Sequence, residues 1–283
     1  MERTWSHGAS RETRDSSGYT VLEVAIVLAL FSIVLVAVHL ALISQHRFYA
    51  LNAQLANTRD AARVAAEVLT GELRGVSPAA GDLYAVSGDS VALRSNRGVG
   101  VICGSSGNTV DVWLLMGTIG DSGVDSVLMF LENSPDSSSD DAWTAASVQR
   151  VRSGGTGICP NGRPPDVRLD LDRLASGLVV GSPIRAFKPY VYRLYLAGDG
   201  RWWLGQRLRY GRIQPVAGPF ASPGEGGLAL DFLGSGGTRT ADPAQVVEVL
   251  ISIRSQSASP LPWVGGAGFL TDSLQTAVYL RNS

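Results

Sequence analysis

The 283-residue chain holds few residues that could do chemistry unaided. All three histidines, His7, His39 and His46, precede residue 47. The long C-terminal part therefore lacks Ser-His and Cys-His catalysis and the commonest metal ligand, and no enzyme activity is expected of it. Cys103 and Cys159 are the only cysteines. In an oxidising compartment they would pair if the fold brings them close, and otherwise they are two buried thiols. Asp136, Asp140 and Asp141 could gather oxygen ligands, but the twelve-residue calcium loop with its closing Glu is missing, so no metal or cofactor is assigned. The glycine-rich stretches 98–104 (GVGVICG) and 234–237 (GSGG) open no helix. They do not qualify as phosphate loops and read as turns.

The remaining titratable group of interest is Glu23, set in the apolar run 21–43 (VLEVAIVLALFSIVLVAVHLALI). At 1.5 Å per residue this run can cross a hydrocarbon core of about 30 Å. An unpartnered carboxylate at the bilayer centre costs about 2.5–3.5 kcal/mol, so Glu23 either has a partner or sits at the interface, favoured by the helix dipole. His39 has no carboxylate or cysteine at ligand spacing and reads as an interfacial residue. The run is too long for a secretory signal and no Ala-x-Ala follows it, so it is expected to stay in the mature chain.

Past Ile43 the pattern becomes amphipathic. Phe48, Leu51, Leu55, Ala62, Ala65, Val68, Leu69 and Leu73 recur at three- and four-residue steps, which predicts one helix continuing to about Arg74, where Gly75 and Pro78 stop it. Beyond residue 80 the period shifts to two, with short β-branched and aromatic runs between Gly, Pro, Asp and Ser clusters. Strands are predicted at 82–86, 90–94, 109–115, 126–131, 147–152, 190–196, 202–210, 228–232, 245–254 and 274–280. The clearest hairpin is 190–210, with Ala197-Gly198-Asp199-Gly200 at its turn. Residues 133–143 and 153–166 read as loops. The fold class is α+β: a long N-terminal helix, first transmembrane and then amphipathic, packed on a mainly antiparallel sheet.

Gly18-Tyr19-Thr20-Val21-Leu22-Glu23 opens the apolar helix directly. It resembles the cleavage motif of type IV prepilins, usually Gly-Phe-Thr-Leu-x-Glu, with Tyr19 for Phe and Val21 for Leu. The resemblance divides the chain into a leader (1–18), a transmembrane helix (19–43), an amphipathic stalk (44–76) and a β-rich head (80–283). It implies cleavage after Gly18 by prepilin peptidase, N-methylation of Tyr19, and pairing of Glu23 with the N-terminal ammonium of a neighbouring subunit. The strand at 190–194 and the ending 272–282 are similar, more loosely, to the larger minor pilins and pseudopilins of the PilW and PulJ kind.

The implied partners are other pilin or pseudopilin subunits, the peptidase, the inner-membrane assembly platform and the membrane. The chain would be a single-pass inner-membrane protein with its head outside. Hydrophobic residues make up 45% of the chain and charged residues 17%, with a net charge of −1 and Lys188 the only lysine. The arginines are scattered among carboxylates, Arg207 and Arg209 against Asp199 and Glu225 for example, so no direct nucleic-acid binding is expected. Trp113, Trp143, Trp202 and Trp203 read as packing groups before they read as a ligand platform. The alternative is a signal-anchored surface protein whose head binds a ligand or another protein.

Overall fold

A computed structural model describes residues 19–281, apart from 121–124, 133, 135, 138, 209–210 and 262–267. Gly18 with the rest of the leader, and Arg209 and Tyr210 at the end of the predicted hairpin, lie outside the described residues. The chain divides into two compact units, one reaching to Asn52 and the other beginning at Ala53.

A single helix, α1 (Val21–Arg74), contributes to both units. Its first turn is capped by Thr20, whose Oγ1 accepts from the Glu23 N–H at 3.2 Å. In the first unit its apolar side chains are bare: Val21, Leu28, Phe31 and Ile33 are each more than half exposed. The helix is long and apolar enough to anchor the chain in a membrane. In the second unit, Thr58, Ala61, Ala62, Ala65, Ala66, Leu69 and Leu73 are buried at helical spacing. The alanines let the helix backbone approach the sheet closely. After Arg74 the chain turns at Gly75, whose N–H bonds to the Glu72 carbonyl, and leaves at Pro78.

Twelve strands follow: β1 (Leu83–Ser87), β2 (Ser90–Ser106), β3 (Thr109–Gly117), β4 (Ser126–Leu131), β5 (Ala142–Ser153), β6 (Val167–Leu171), β7 (Pro183–Leu196), β8 (Trp202–Leu208), β9 (Ile213–Phe220), β10 (Leu228–Leu233), β11 (Glu248–Gln256) and β12 (Thr271–Tyr279). All of their described pairings are antiparallel. The class is α+β, one long helix packed against a twelve-stranded antiparallel sheet.

The pairing has a closed part. β2 pairs β3, β3 pairs β6, β6 pairs β5, β5 pairs β4, β4 pairs β7, and β7 returns to β2. These six strands form a small barrel with a core of its own, including Ile102, Val110, Val112, Val127, Met129, Leu169 and Ile184. The other core lies under α1 and joins Leu69 and Leu73 to Leu93, Tyr192, Leu204, Phe220, Ile251 and Val278. The long strands β2 and β7 run through both. Residues 90–93 of β2 pair β1 and 190–193 of β7, while 98–101 pair β3 and 183–186 of β7.

Three sequence readings need correction. Residues 98–104 are not a turn but the middle of β2, where the register slips at Gly98 and Gly100. A Cβ on Gly100 would sit 2.7 Å from the Trp113 carbonyl oxygen, so glycine here serves close strand approach at a bulge. Residues 142 and 143 belong to β5 and not to a loop. β6 and β9 were not predicted, the latter because Pro215 and Pro219 argue against a strand interior.

Candidate functional site

Function-bearing features occur in two places, and each is treated within its own unit. At the start of α1, Tyr19 and Thr20 precede the helix and Glu23 is its third residue. Thr20-Val21-Leu22-Glu23 has the Ser/Thr-x-x-Glu form of a capping box, and the threonine half of it is made. The Val24 N–H also bonds to the Thr20 carbonyl at 3.2 Å. Thr20 therefore sets where the helix begins and places Glu23 within its first turn, where a negative charge suits the helix dipole. Glu23 is exposed, and its carboxylate meets no hydrogen-bond or ion-pair partner among the described residues. Chemically, this end of the helix offers a lone carboxylate on an apolar rod to a cation supplied from outside the described residues. His39 and His46 lie on the same helix and are exposed.

In the head, Cys103 of β2 and Cys159 of the β5–β6 loop form a disulfide across 56 residues. The loop is also held by charge. Arg168 donates to both oxygens of Asp111, at 2.6 and 2.7 Å, and the Thr156 N–H donates to the same carboxylate at 3.3 Å. A Cβ on Gly155 would lie 2.5 Å from that carboxylate, so glycine makes room for it. Hydrogen bonding to Asp111 raises the Arg168 pKa above its ordinary value, against the opposing cost of desolvation. A disulfide of this kind fits an oxidising, extracytoplasmic compartment.

Two more acidic groups are buried and paired. Asp82, with no exposed surface, accepts from Arg185 at 2.8 Å and from the Ser77 N–H at 3.1 Å, and Arg94 approaches to 3.9 Å. It ties the turn after α1 to β2 and β7. Asp125 faces Lys188, the sole lysine, at 3.5 Å and accepts from the Gly120 N–H at 3.0 Å. Under the helix, the Tyr192 hydroxyl accepts from Gln206 and interacts with Glu72 of α1. Burial, and then the nearby Glu72 charge, push its pKa well up.

The disulfide is the cysteine pairing that the sequence left open, whereas the buried ion pairs were not legible there, because each joins residues far apart in the chain. Asp199 pairs with Arg201 at 3.9 Å and with the Trp203 indole at 3.3 Å, not with Arg207, whose Nε is buried without a partner among the described residues. The tryptophans pack: Trp202 against the core under α1, and Trp143 edge-on to Phe130 at 5.4 Å.

The described cavities are shallow. One of about 360 Å³ is lined by Tyr84, Arg94, Ser126, Arg173 and Phe187, and another of about 520 Å³ lies between α1 and β12. Among the described residues, no group of three or more His, Cys, Asp or Glu side chains is placed to hold a metal ion. No known protein family, curated protein or solved structure matches the chain. The chain thus combines a membrane-anchoring N-terminal helix with a β-rich head, a pilin-like architecture.

Proposed function

We propose that this protein is a non-catalytic minor pilin or pseudopilin. Prepilin peptidase cleaves it after Gly18 on the cytoplasmic side of the inner membrane, Tyr19 is N-methylated, and the mature chain enters a type IV pilus or a secretion or competence pseudopilus. The observation that carries this reading is the string from Gly18 to Glu23 opening a retained apolar helix. Glu23 in the first helical turn supports it, since a carboxylate there can pair with the ammonium of a neighbouring Tyr19 and set the axial register between subunits. The disulfide supports a head outside the cytoplasm.

Replacing Gly18 by Ala tests processing. The chain is expected to keep its leader, seen as an unshortened mass, and normal removal would refute the cleavage claim. Glu23→Val tests the charge pair separately: leader removal continues while incorporation into filaments is lost, and unchanged incorporation would remove Glu23 from the account.

A further inference from the structure

Open sheet edges are hazards that proteins blunt or use. In the head, ring closure removes edges from most of the barrel. The outer edge of β10 is met by the β1–β2 turn, where the Leu230 N–H bonds to the Gly88 carbonyl, and by Thr240, whose N–H bonds to the Phe232 carbonyl. The free edge of β9 carries Pro215 and Pro219. β12 differs. It pairs β11 over nine residues on one side and no described strand on the other. It contains no proline, and from Ser273 to Leu280 no charged residue.

The register shows which backbone groups are free. The Leu280 N–H bonds to the Val247 carbonyl and the Ser257 N–H to the Leu270 carbonyl, so even-numbered residues of this strand face β11. By the alternation of an antiparallel ladder, Thr271, Ser273, Gln275, Ala277 and Tyr279 turn their N–H and C=O outward. Among the described residues, only the Ser273 N–H is taken, by the Asp272 carboxylate at 3.1 Å.

Beside this edge is the groove of about 520 Å³ lined by Arg63, Glu67, Gly71 and Arg74 of α1 and by Leu274 and Thr276 of β12. Arg63 and Arg74 are exposed and make no ion pair among the described residues, whereas Arg59 already holds Asp272 at 3.5 Å. Eleven helical steps separate the two free arginines by about 16 Å, a span that two glutamates four strand residues (about 13 Å) apart on one face can meet with the reach of their side chains.

We propose that the outer edge of β12 receives an extended segment of another polypeptide, which adds to the sheet as a further strand and presents carboxylates four residues apart, on its helix-facing side, to Arg63 and Arg74. Backbone pairing supplies the affinity and the arginine pair the selection for an acidic segment. The inference goes beyond the assembly reading. It is tested on the unprocessed chain in solution, so it can fail without touching the leader, and the leader can fail without touching it.

The probe is a fluorescein-labelled, capped peptide Glu-Thr-Val-Thr-Glu-Val, titrated against the full-length chain in detergent micelles and followed by anisotropy. Saturable binding is expected, together with slowed amide exchange at Gln275, Ala277 and Tyr279. Ala277→Pro removes an outward N–H without touching the β11 ladder, so the thermal midpoint should hold while affinity falls roughly tenfold or more. Arg63→Glu with Arg74→Glu should weaken this peptide and not its Gln-Thr-Val-Thr-Gln-Val counterpart. No saturable binding, or binding that Ala277→Pro leaves unchanged, overturns the proposal. If the proline variant does not fold, unchanged exchange at the three wild-type amides overturns it equally.

Discussion

The two cores of the head share β2 and β7 yet solve the problem of burial in different ways. Around the barrel core the sheet closes on itself, and the β5–β6 loop is stapled by Cys103–Cys159 and by the Thr156 N–H on Asp111, whose carboxylate also pairs with Arg168. The other core is an open sheet that needs α1 as its cover, and the same helix carries the membrane-anchoring segment. The barrel is thus self-contained, while the helix-backed sheet depends on an element that also serves anchoring. A closed barrel leaves little edge for a partner. The helix-backed half keeps both an open edge and the helix, the two features that the proposed contacts with other chains would use.

Removing the tie between α1 and the sheet should have the largest effect. Asp82→Ala removes the buried carboxylate that Arg185 and Arg94 face, and a loss of about 3–5 kcal/mol is expected. Chemical denaturation should show the helix-backed half opening first. If the two halves unfold together with no loss, Asp82 is not what joins them.

The comparison sharpens with the disulfide. Changing Cys103 and Cys159 together to Ser releases a 56-residue constraint and should cost about 4 kcal/mol. Exchange protection should fall in β3, β5 and β6 while the amides of β11 hold. Equal loss in both halves would mean that the barrel has no separate stability.

The smallest effect concerns Tyr192. Its folded pKa lies above its ordinary value, so its contribution is complete below pH 10 and is lost as pH rises through the folded value. Tyr192→Phe should cost about 1–2 kcal/mol at neutral pH by stranding Gln206 and Glu72. Alkali above about pH 10 should then destabilise the wild type more than the variant. Parallel pH profiles would take Tyr192 out of the helix–sheet contact.

What could be read from the chain follows from range. The end of α1 at Arg74 is written locally in Gly75 and Pro78, and the β7–β8 hairpin in its Gly-Asp-Gly turn. Residues 98–104 misled because glycine at a bulge and glycine at a turn look alike until the opposing strand is known. Asp82, Asp111 and Asp125 gave no sign of burial, since their partners lie 103, 57 and 63 residues away, the last being 188 minus 125. At the proposed assembly site the position was different. Gly18, Tyr19, Thr20 and Glu23 are consecutive or nearly so, so the motif and its carboxylate are legible in the sequence, while the Thr20 cap emerges only from the structure.

The central claim is that the chain is processed and assembled through its N-terminus. The most direct test is the mass of the N-terminal peptide of the mature protein recovered from its native membrane. The account predicts a chain beginning at Tyr19 with one added methyl group. A chain still beginning at Met1 or Glu2 would contradict it.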